Sequence, residues 1–351
     1  MDNKEKTIPK TENDGQAVQK KVPIPLFLTV SPSPHIRNPE NISSIMLDVL
    51  IALMPAFLWG VYVFGWRALM IAILSVASCV GFEALTEKLL KCPITISDLS
   101  AAVTGLLLAM NLPVSVPLWL PVVGGFFAIV VVKQIFGGIG KNFVNPALAA
   151  RVFLFTAWAG FMSRFPAAGS KINSIAIELG EADVIAGATP LASLKEGILP
   201  ETHLFDNIIG NVGGCIGEVS AFMLVAGGIY MLVRRVITWH IPVAYIGTVA
   251  LLTYLFPQHG GVASEFMLAE IFSGGLFLGA IFMATDYTTS PVTTKGRLIF
   301  GVGCGCLTVL IRYFGTYPEG VSFAILIMNV LVGYIDKLTI PRRFGGNPDG
   351  K

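Results

Sequence analysis

The chain has 351 residues, of which 54% are hydrophobic and 13% charged, with a formal net charge of +2. Soluble domains hold about 25% charged residues, so this balance, with a mean hydropathy of +0.72, excludes an ordinary soluble domain and reads as a multi-pass membrane protein. No block of Lys or Arg stands on a polar background, which excludes a nucleic-acid surface, and five cysteines without a Cys-x-x-Cys pair argue against a disulfide framework, a zinc site or an iron–sulfur cluster held by this chain alone.

Residues 1 to 44 are polar, charged and proline-containing, with no apolar core followed by a small-residue cleavage site. No cleaved signal peptide is predicted, and the first apolar run serves as the insertion signal. Just before it, "SPSPHIRNPEN" (Ser31 to Asn41) sets His35 and Arg37 among prolines that keep the backbone extended. Apolar runs of membrane-crossing length follow at 45–64, 66–86, 117–136, 142–161, 207–233, 239–257, 266–285, 298–315 and 320–336. Another run, 98–112, is shorter; it begins after Pro93 and stops at Leu112-Pro113, which predicts a tilted or partly broken helix. The expected fold is an all-α polytopic membrane protein of about ten transmembrane helices. Its predicted divisions are a cytoplasmic segment (1–44), a first five-helix half (45–161), an external loop (162–206), a second five-helix half (207–337) and a cytoplasmic tail (338–351).

Orientation follows from the basic residues, most of which, Lys88, Lys91, Arg234, Arg235, Lys295 and Arg297 among them, fall in cytoplasmic segments if the amino terminus lies inside. The loop from Ser163 to Asp206 instead sets Glu178, Glu181, Asp183, Glu196, Glu201 and Asp206 against Arg164, Lys171 and Lys195, and is placed outside. Both termini are then cytoplasmic. An internal repeat is also suggested. "GLLLAMNLP" (Gly105 to Pro113), a helix ending in Lys133, Phe136 and Gly137, and a helix opening near Asn142 form one set. "GLFLGAIFMATD" (Gly275 to Asp286), a helix ending in Arg312, Phe314 and Gly315, and a last helix after Pro318 form the other. Five helices per half would make the halves inverted repeats with broken helices, as in many transporters.

"GVGCGC" (Gly301 to Cys306) lacks the strand and the acidic residue of a nucleotide fingerprint, and "GNVGGCIG" (Gly210 to Gly217) spaces Gly213 and Gly217 four apart; both read as helix packing. Ionisable residues within spans say more, because each costs about 2.5–3.5 kcal/mol at a helix centre. Asp48, Glu83, Arg151, Glu218 and Glu270 qualify, while Lys133 and Arg312 lie nearer helix ends and can snorkel. A buried pair, for instance Arg151 with a carboxylate, and an ion path or cofactor contact both remain open. "DYTTSPVTTKGR" (Asp286 to Arg297) and "GKNFVNPALAAR" (Gly140 to Arg151) bring hydroxyls, amides and a helix start suited to a phosphate or a polar ring, or serve as plain juxtamembrane punctuation.

"SPHIR", "NFVNPALAAR", "DVIAGATPLA" and "TTSPVTTKGRLIFG", in this order and from about Ser31 to Lys337, closely resemble the RnfD family, the D subunits of Rnf electron transport complexes, which is related to the B subunits of sodium-pumping NADH:quinone oxidoreductases. In that family a threonine carries FMN through a phosphoester, attached by an FAD-dependent transferase. Asp183, Gly187, Ala188 and Thr189 match the attachment motif, so the resemblance implies Thr189 as the anchor; Ala186 stands where the family often has Ser. The residue types agree with this role. Gly187 and Ala188 leave the hydroxyl accessible, and Pro190 favours an extended Thr189 over a helical one. The resemblance further implies a second, non-covalent flavin, riboflavin, placed beside Asp286, Thr289, Ser290, Lys295 and Arg297. It implies a bacterial cytoplasmic-membrane complex with the Rnf proteins A, B, C, E and G, in contact with membrane lipid and not with nucleic acid. That complex passes electrons from ferredoxin to NAD+ and exports Na+ or H+, with Asp48, Glu83, Glu218 and Glu270 as ion-path candidates. The competing readings are a small-solute channel or secondary transporter without a redox cofactor, and a purely structural anchor protein.

Overall fold

The computed structural model describes residues 40–166, 190–195, 204–210, 213–218, 220–258, 262–315 and 319–341. Among these the regular structure is helical: α1 (Ile42–Phe64), α2 (Trp66–Leu89), α3 (Ser100–Met110), α4 (Trp119–Gln134), α5 (Pro146–Ala157), α6 (Pro190–Lys195), α7 (Leu204–Ile209), α8 (Ala221–Val233), α9 (His240–Leu255), α10 (Ala263–Phe272), α11 (Leu276–Met283), α12 (Thr294–Phe314) and α13 (Val321–Thr339). Helices α1, α2, α12 and α13 are long and apolar enough to cross a membrane, and α10 with α11 would form one span bent by 62°. Helices α3, α4, α5, α8 and α9 are apolar but shorter. The protein is thus an all-α polytopic membrane protein.

Local sequence sets the helix ends. The Asn41 amide donates to Ser44 Oγ (3.0 Å) at the start of α1, and Gly65, at φ +82°, turns the chain from α1 straight into α2. Asn145 accepts from the amides of Ala147 and Leu148 (3.0 and 3.3 Å) with Pro146 as the first helical residue of α5. Thr293 caps α12 through Gly296 N (3.0 Å).

Packing repeats one pattern: α2 lies against α3 and α4 as α9 lies against α10 and α12, while α1 meets α8 and α5 meets α13. The glycines of "GVGCGC" serve this packing: a Cβ on Gly301 would stand 3.0 Å from Ile241 O, and one on Gly305 3.1 Å from Tyr245 O, so α12 touches the α9 backbone. Buried Cys304 lies on the same helix.

Three expectations change. The run 207–233 is not one span: α7 and α8 are separated by a non-helical stretch in which Gly217 N donates to Met110 O (2.7 Å) and Ile216 N to Leu112 O (3.1 Å), bridging Cys215 to Pro113. Gly213 and Gly217 therefore do not line a helix face; Gly217 allows close approach to the broken end of α3. The run 266–285 is likewise interrupted, at Ser273–Gly275, where Gly274 takes φ +72°. The region 162–206, expected to be a polar loop, contains α6, and α7 begins within its far end. The predicted break after 98–112 is present: α3 ends at Met110, and Arg67, almost fully buried, holds the non-helical chain beyond it through Val114 O and Val116 O (both 2.8 Å).

Candidate functional site

Each carboxylate singled out within a span meets a cation. Asp48 accepts from Tyr230 Oη (2.8 Å) and from Arg234 Nε and Nη2 (3.1 and 3.0 Å). Glu83 accepts from Lys133 Nζ and from Gln134 Nε2 (3.3 Å), and Lys133 also donates to Ser100 Oγ at the start of α3 (2.6 Å). Glu270 accepts from Arg312 Nη1 (2.6 Å), which also donates to Glu270 O, while Arg312 Nη2 reaches Ser273 O (3.1 Å). Lys133 and Arg312 are each 3% exposed, so neither snorkels: these side chains turn inward because a carboxylate waits there. Lys133 thereby ties Glu83 to the start of α3, and Arg312 ties Glu270 to the backbone at the break beside Ser273.

The fourth pair joins α5 to the end of α3, the non-helical bridge before α8 and the start of α13. Arg151, one and a half turns into α5, donates through Nη1 to Asn111 Oδ1 (2.8 Å) and Ser322 Oγ (2.9 Å). Through Nη2 it reaches Glu218 Oε1 (3.2 Å), Glu319 and Cys215 Sγ (3.6 Å). Asn111 ends α3, Cys215 and Glu218 belong to the non-helical bridge, and Glu319 and Ser322 stand at the start of α13. One oxygen of each glutamate and Cys215 Sγ all lie within 4.8 Å of one another. The guanidinium bonded to all three makes this a charge cluster rather than a place for a divalent metal. Burial pushes the Glu319 carboxyl up to about 7, against the opposing pull of Arg151. Sequence reading singled out Arg151 and Glu218 and left open a pair of Arg151 with some carboxylate, without naming which; Asn111, Glu319 and Ser322 were missed, the only hint being Asn111 ahead of the helix-breaking Leu112-Pro113.

The motifs "NFVNPALAAR" and "DYTTSPVTTKGR" come together. Asn142 Nδ2 donates to Thr288 Oγ1 (3.0 Å) and Asn145 Nδ2 to Met283 O (3.3 Å). The Asn329 amide, oriented to suit its neighbours, donates to Thr289 O (3.0 Å) and accepts from Asn145 N (3.1 Å). Asp286 accepts from Thr288 and Thr289 hydroxyls (both 3.1 Å), and burial raises its carboxyl against those bonds. Arg297 closes the loop through Pro291 O (3.1 Å) and Thr238 Oγ1 (3.2 Å). Of the five residues considered for a second flavin, Asp286, Thr289 and Arg297 thus spend their polar groups on the loop, while Ser290 is half-buried and Lys295 exposed.

Asp183, Gly187, Ala188 and Thr189 lie outside the described residues. The chain immediately after them is docked: Pro190 opens α6, Leu194 is fully buried against Phe266 and Ala269 of α10 with Tyr313 alongside, and Lys195 Nζ donates to Gly315 O (2.6 Å). A Cβ on Gly274 would stand 3.3 Å from Leu191, so α6 rests on the break between α10 and α11, beside Arg312.

An all-helical membrane bundle with broken helices and ion pairs at its internal seams defines an integral membrane protein built around buried charge. The chain belongs to the NQR2, RnfD, RnfE family, whose profile matches residues 29–345. It is 48% identical over 324 residues to the D subunit of the Na(+)-translocating ferredoxin:NAD(+) oxidoreductase complex of Acetobacterium woodii, covering 91% of this chain and 96% of that protein. It is 41% identical over 328 residues to the D subunit of the proton-translocating ferredoxin:NAD(+) oxidoreductase complex of Clostridium ljungdahlii, with the same coverage. Against the D subunit of the ion-translocating oxidoreductase complex of Stutzerimonas stutzeri it is 39% identical, over 89% of this chain and 94% of that one.

Proposed function

We propose that the chain is the D subunit of an ion-translocating ferredoxin:NAD+ oxidoreductase, relaying electrons through FMN esterified to Thr189 and coupling their passage to export of Na+ or H+. The observation that carries the reading is near full-length similarity to proteins so named, at 48% identity in the Acetobacterium woodii relative. FMN supplies the one- and two-electron chemistry; the protein's share is to fix and surround it. Support for the anchor is local. An esterified residue needs a firm base, and α6, one residue beyond Thr189, is pinned by Leu191, Leu194 and Lys195. The proposal places the 162–206 region on the outer side of a bacterial cytoplasmic membrane and both termini inside, between two inverted five-helix halves, on the charge asymmetry of the loops. Partners would be the remaining Rnf proteins and an FAD-dependent flavin transferase. Riboflavin beside Asp286 to Arg297 is not carried into the proposal, because that loop's polar groups are largely engaged.

Coexpression with a flavin transferase, then denaturing electrophoresis, tests the anchor. The wild-type band should keep flavin fluorescence, and Thr189→Val should lose it while still inserting in the membrane. A dark wild-type band, or a Thr189→Val band still bright, refutes the assignment.

A further inference from the structure

Two helices that follow each other in the chain stand apart. Helices α8 and α9 are joined only by residues 234–239, yet α8 packs against α1 and α9 against α10 and α12, and neither lies along the other. Both rest on α11: a Cβ on Gly228 would stand 2.8 Å from Ile281, and α9 meets the same helix. The crevice left between them has α11 behind it and apolar walls. Ile229 and Val233 are exposed on α8, and Val243 and Leu251 on α9, with Gly247 between the last two where a Cβ would meet nothing within 4 Å. At 13 residues α8 is about 20 Å long, enough to line one leaflet, half of a hydrocarbon core of ~30 Å.

The turn that closes the crevice carries the charge. Val236 N donates to Met231 O (2.9 Å) and Arg235 N to Leu232 O (3.0 Å), the two bonds of a helix stop whose left-handed residue is usually glycine. Here that residue is Arg235, at φ +58°. The end of α2 repeats the arrangement with Lys91, at φ +54°, through Cys92 N to Glu87 O (2.9 Å) and Lys91 N to Lys88 O (3.3 Å). Glycine would take either position with less strain, so each cation stands there at a cost to the backbone. Arg234 is bonded to Asp48, whereas Arg235 is exposed and has no bonded partner among the described residues. Trp239 is exposed on the same turn, stacked on His240 (4.2 Å), an amphipathic ring of the kind that settles at a headgroup boundary. Arg297 reaches this turn through Thr238 Oγ1 (3.2 Å) and adds a further cation.

We propose that the crevice between α8 and α9 binds one anionic phospholipid, its phosphate on Arg235 and an acyl chain along the exposed residues of both helices. Charge complementarity selects this occupant. A zwitterionic headgroup brings its own ammonium to the phosphate and gains less from Arg235, while an apolar helix of a partner would fill the crevice and leave the guanidinium without an anion. A guanidinium meets a phosphate through two N–H groups at once, which suits an arginine at this rim. The inference rests on the chain spanning a membrane and on nothing in the FMN assignment, so failure of either leaves the other standing.

The test places the assembled complex in phosphatidylethanolamine vesicles doped, in parallel, with phosphatidylglycerol or phosphatidylcholine carrying a photoactivatable diazirine in one acyl chain, and reads the labelled peptides by mass spectrometry after illumination. Peptides of α8 and α9 should take up the phosphatidylglycerol probe about fivefold more than the phosphatidylcholine probe, as one cation near an anionic headgroup provides. Arg235→Gly suits the left-handed turn and so keeps the fold, and it should bring the two probes close to equal uptake. Lys91→Gly, the same change at the end of α2, should leave the preference at α8 and α9 as it was. Equal uptake of the probes by the wild type, no uptake by these helices, or a preference that survives Arg235→Gly overturns the proposal. So does an equal loss in both variants, which would report only the general charge of the surface.

Discussion

Replacing Gly217 by Ala tests whether the bridge between the halves is built as described. The new Cβ would lie 2.6 Å from Met110 Cβ and 2.9 Å from Met110 O, both on the end of α3. Carbon atoms in contact sit about 3.5–4.0 Å apart, so the bridge must retreat by roughly 1 Å. Overpacking of this kind costs about 1–3 kcal/mol. Retreat also stretches the 2.7 Å bond from Gly217 N to Met110 O, worth about 1 kcal/mol net. The expected loss is therefore about 2–4 kcal/mol. Gly81→Ala in α2 supplies the contrast, because a Cβ there meets nothing within 4 Å; it should gain about 0.5–1 kcal/mol from helix propensity. Unfolding titrations of the purified protein in detergent, followed by far-UV circular dichroism, compare the two. If Gly217→Ala unfolded within about 0.5 kcal/mol of wild type, the close contact between bridge and α3 would be wrong.

Two further substitutions probe the seam. Arg151→Met leaves Glu218 and Glu319 buried without their cation and should cost about 3–5 kcal/mol, and adding Glu319→Gln should restore part of that loss. Strict additivity in the same titrations, read as a double-mutant cycle, would show that the two residues do not interact. Asn145→Ala removes the cap of α5 and the bond to Met283 O, for a loss of about 1 kcal/mol or somewhat more. Asn145→Asp keeps the capping oxygen while turning an acceptor toward that carbonyl, so comparing the pair by the same titration separates the cap from the link between motifs.

Much of the helical layout was legible because hydropathy is a local signal: an apolar run reports a helix in lipid whatever it later touches. The break after α3 was legible for the same reason, since Leu112-Pro113 announces it. The break at 210–220 was not, because glycines in an apolar run look alike whether they pack a helix or bend a chain. Only the approach of Met110, about a hundred residues away in sequence, decides between them. The ion pairs were half legible. Cost alone says that Arg151 needs a carboxylate, but its partners Glu218 and Glu319 lie 67 and 168 residues away, and nothing local to Glu319 marks it as one of them. Lys133 and Arg312 were misplaced by the same blindness: nearness to a helix end suggests snorkelling, and the nearby acid that turns them inward belongs to another helix.

The buried cations explain how broken helices persist in an apolar interior. Wherever a helix is interrupted, carbonyl oxygens lose their helical donors, and lipid offers none in return. Arg67 donates to Val114 O and Val116 O beyond α3, and Arg312 donates to Glu270 O and Ser273 O at the break between α10 and α11. Each guanidinium spans two carbonyls at once, which the single ammonium of Lys does less well. Arg312 adds an ion pair to this task, and Arg151 joins the end of α3, the bridge and the start of α13 through one group. At the break between α10 and α11 interruption and charge are therefore one device: irregular backbone needs donors, Arg312 supplies them, and its charge draws Glu270 in beside it. Neutralising Glu270 would therefore loosen the guanidinium that also holds Glu270 O and Ser273 O at the break.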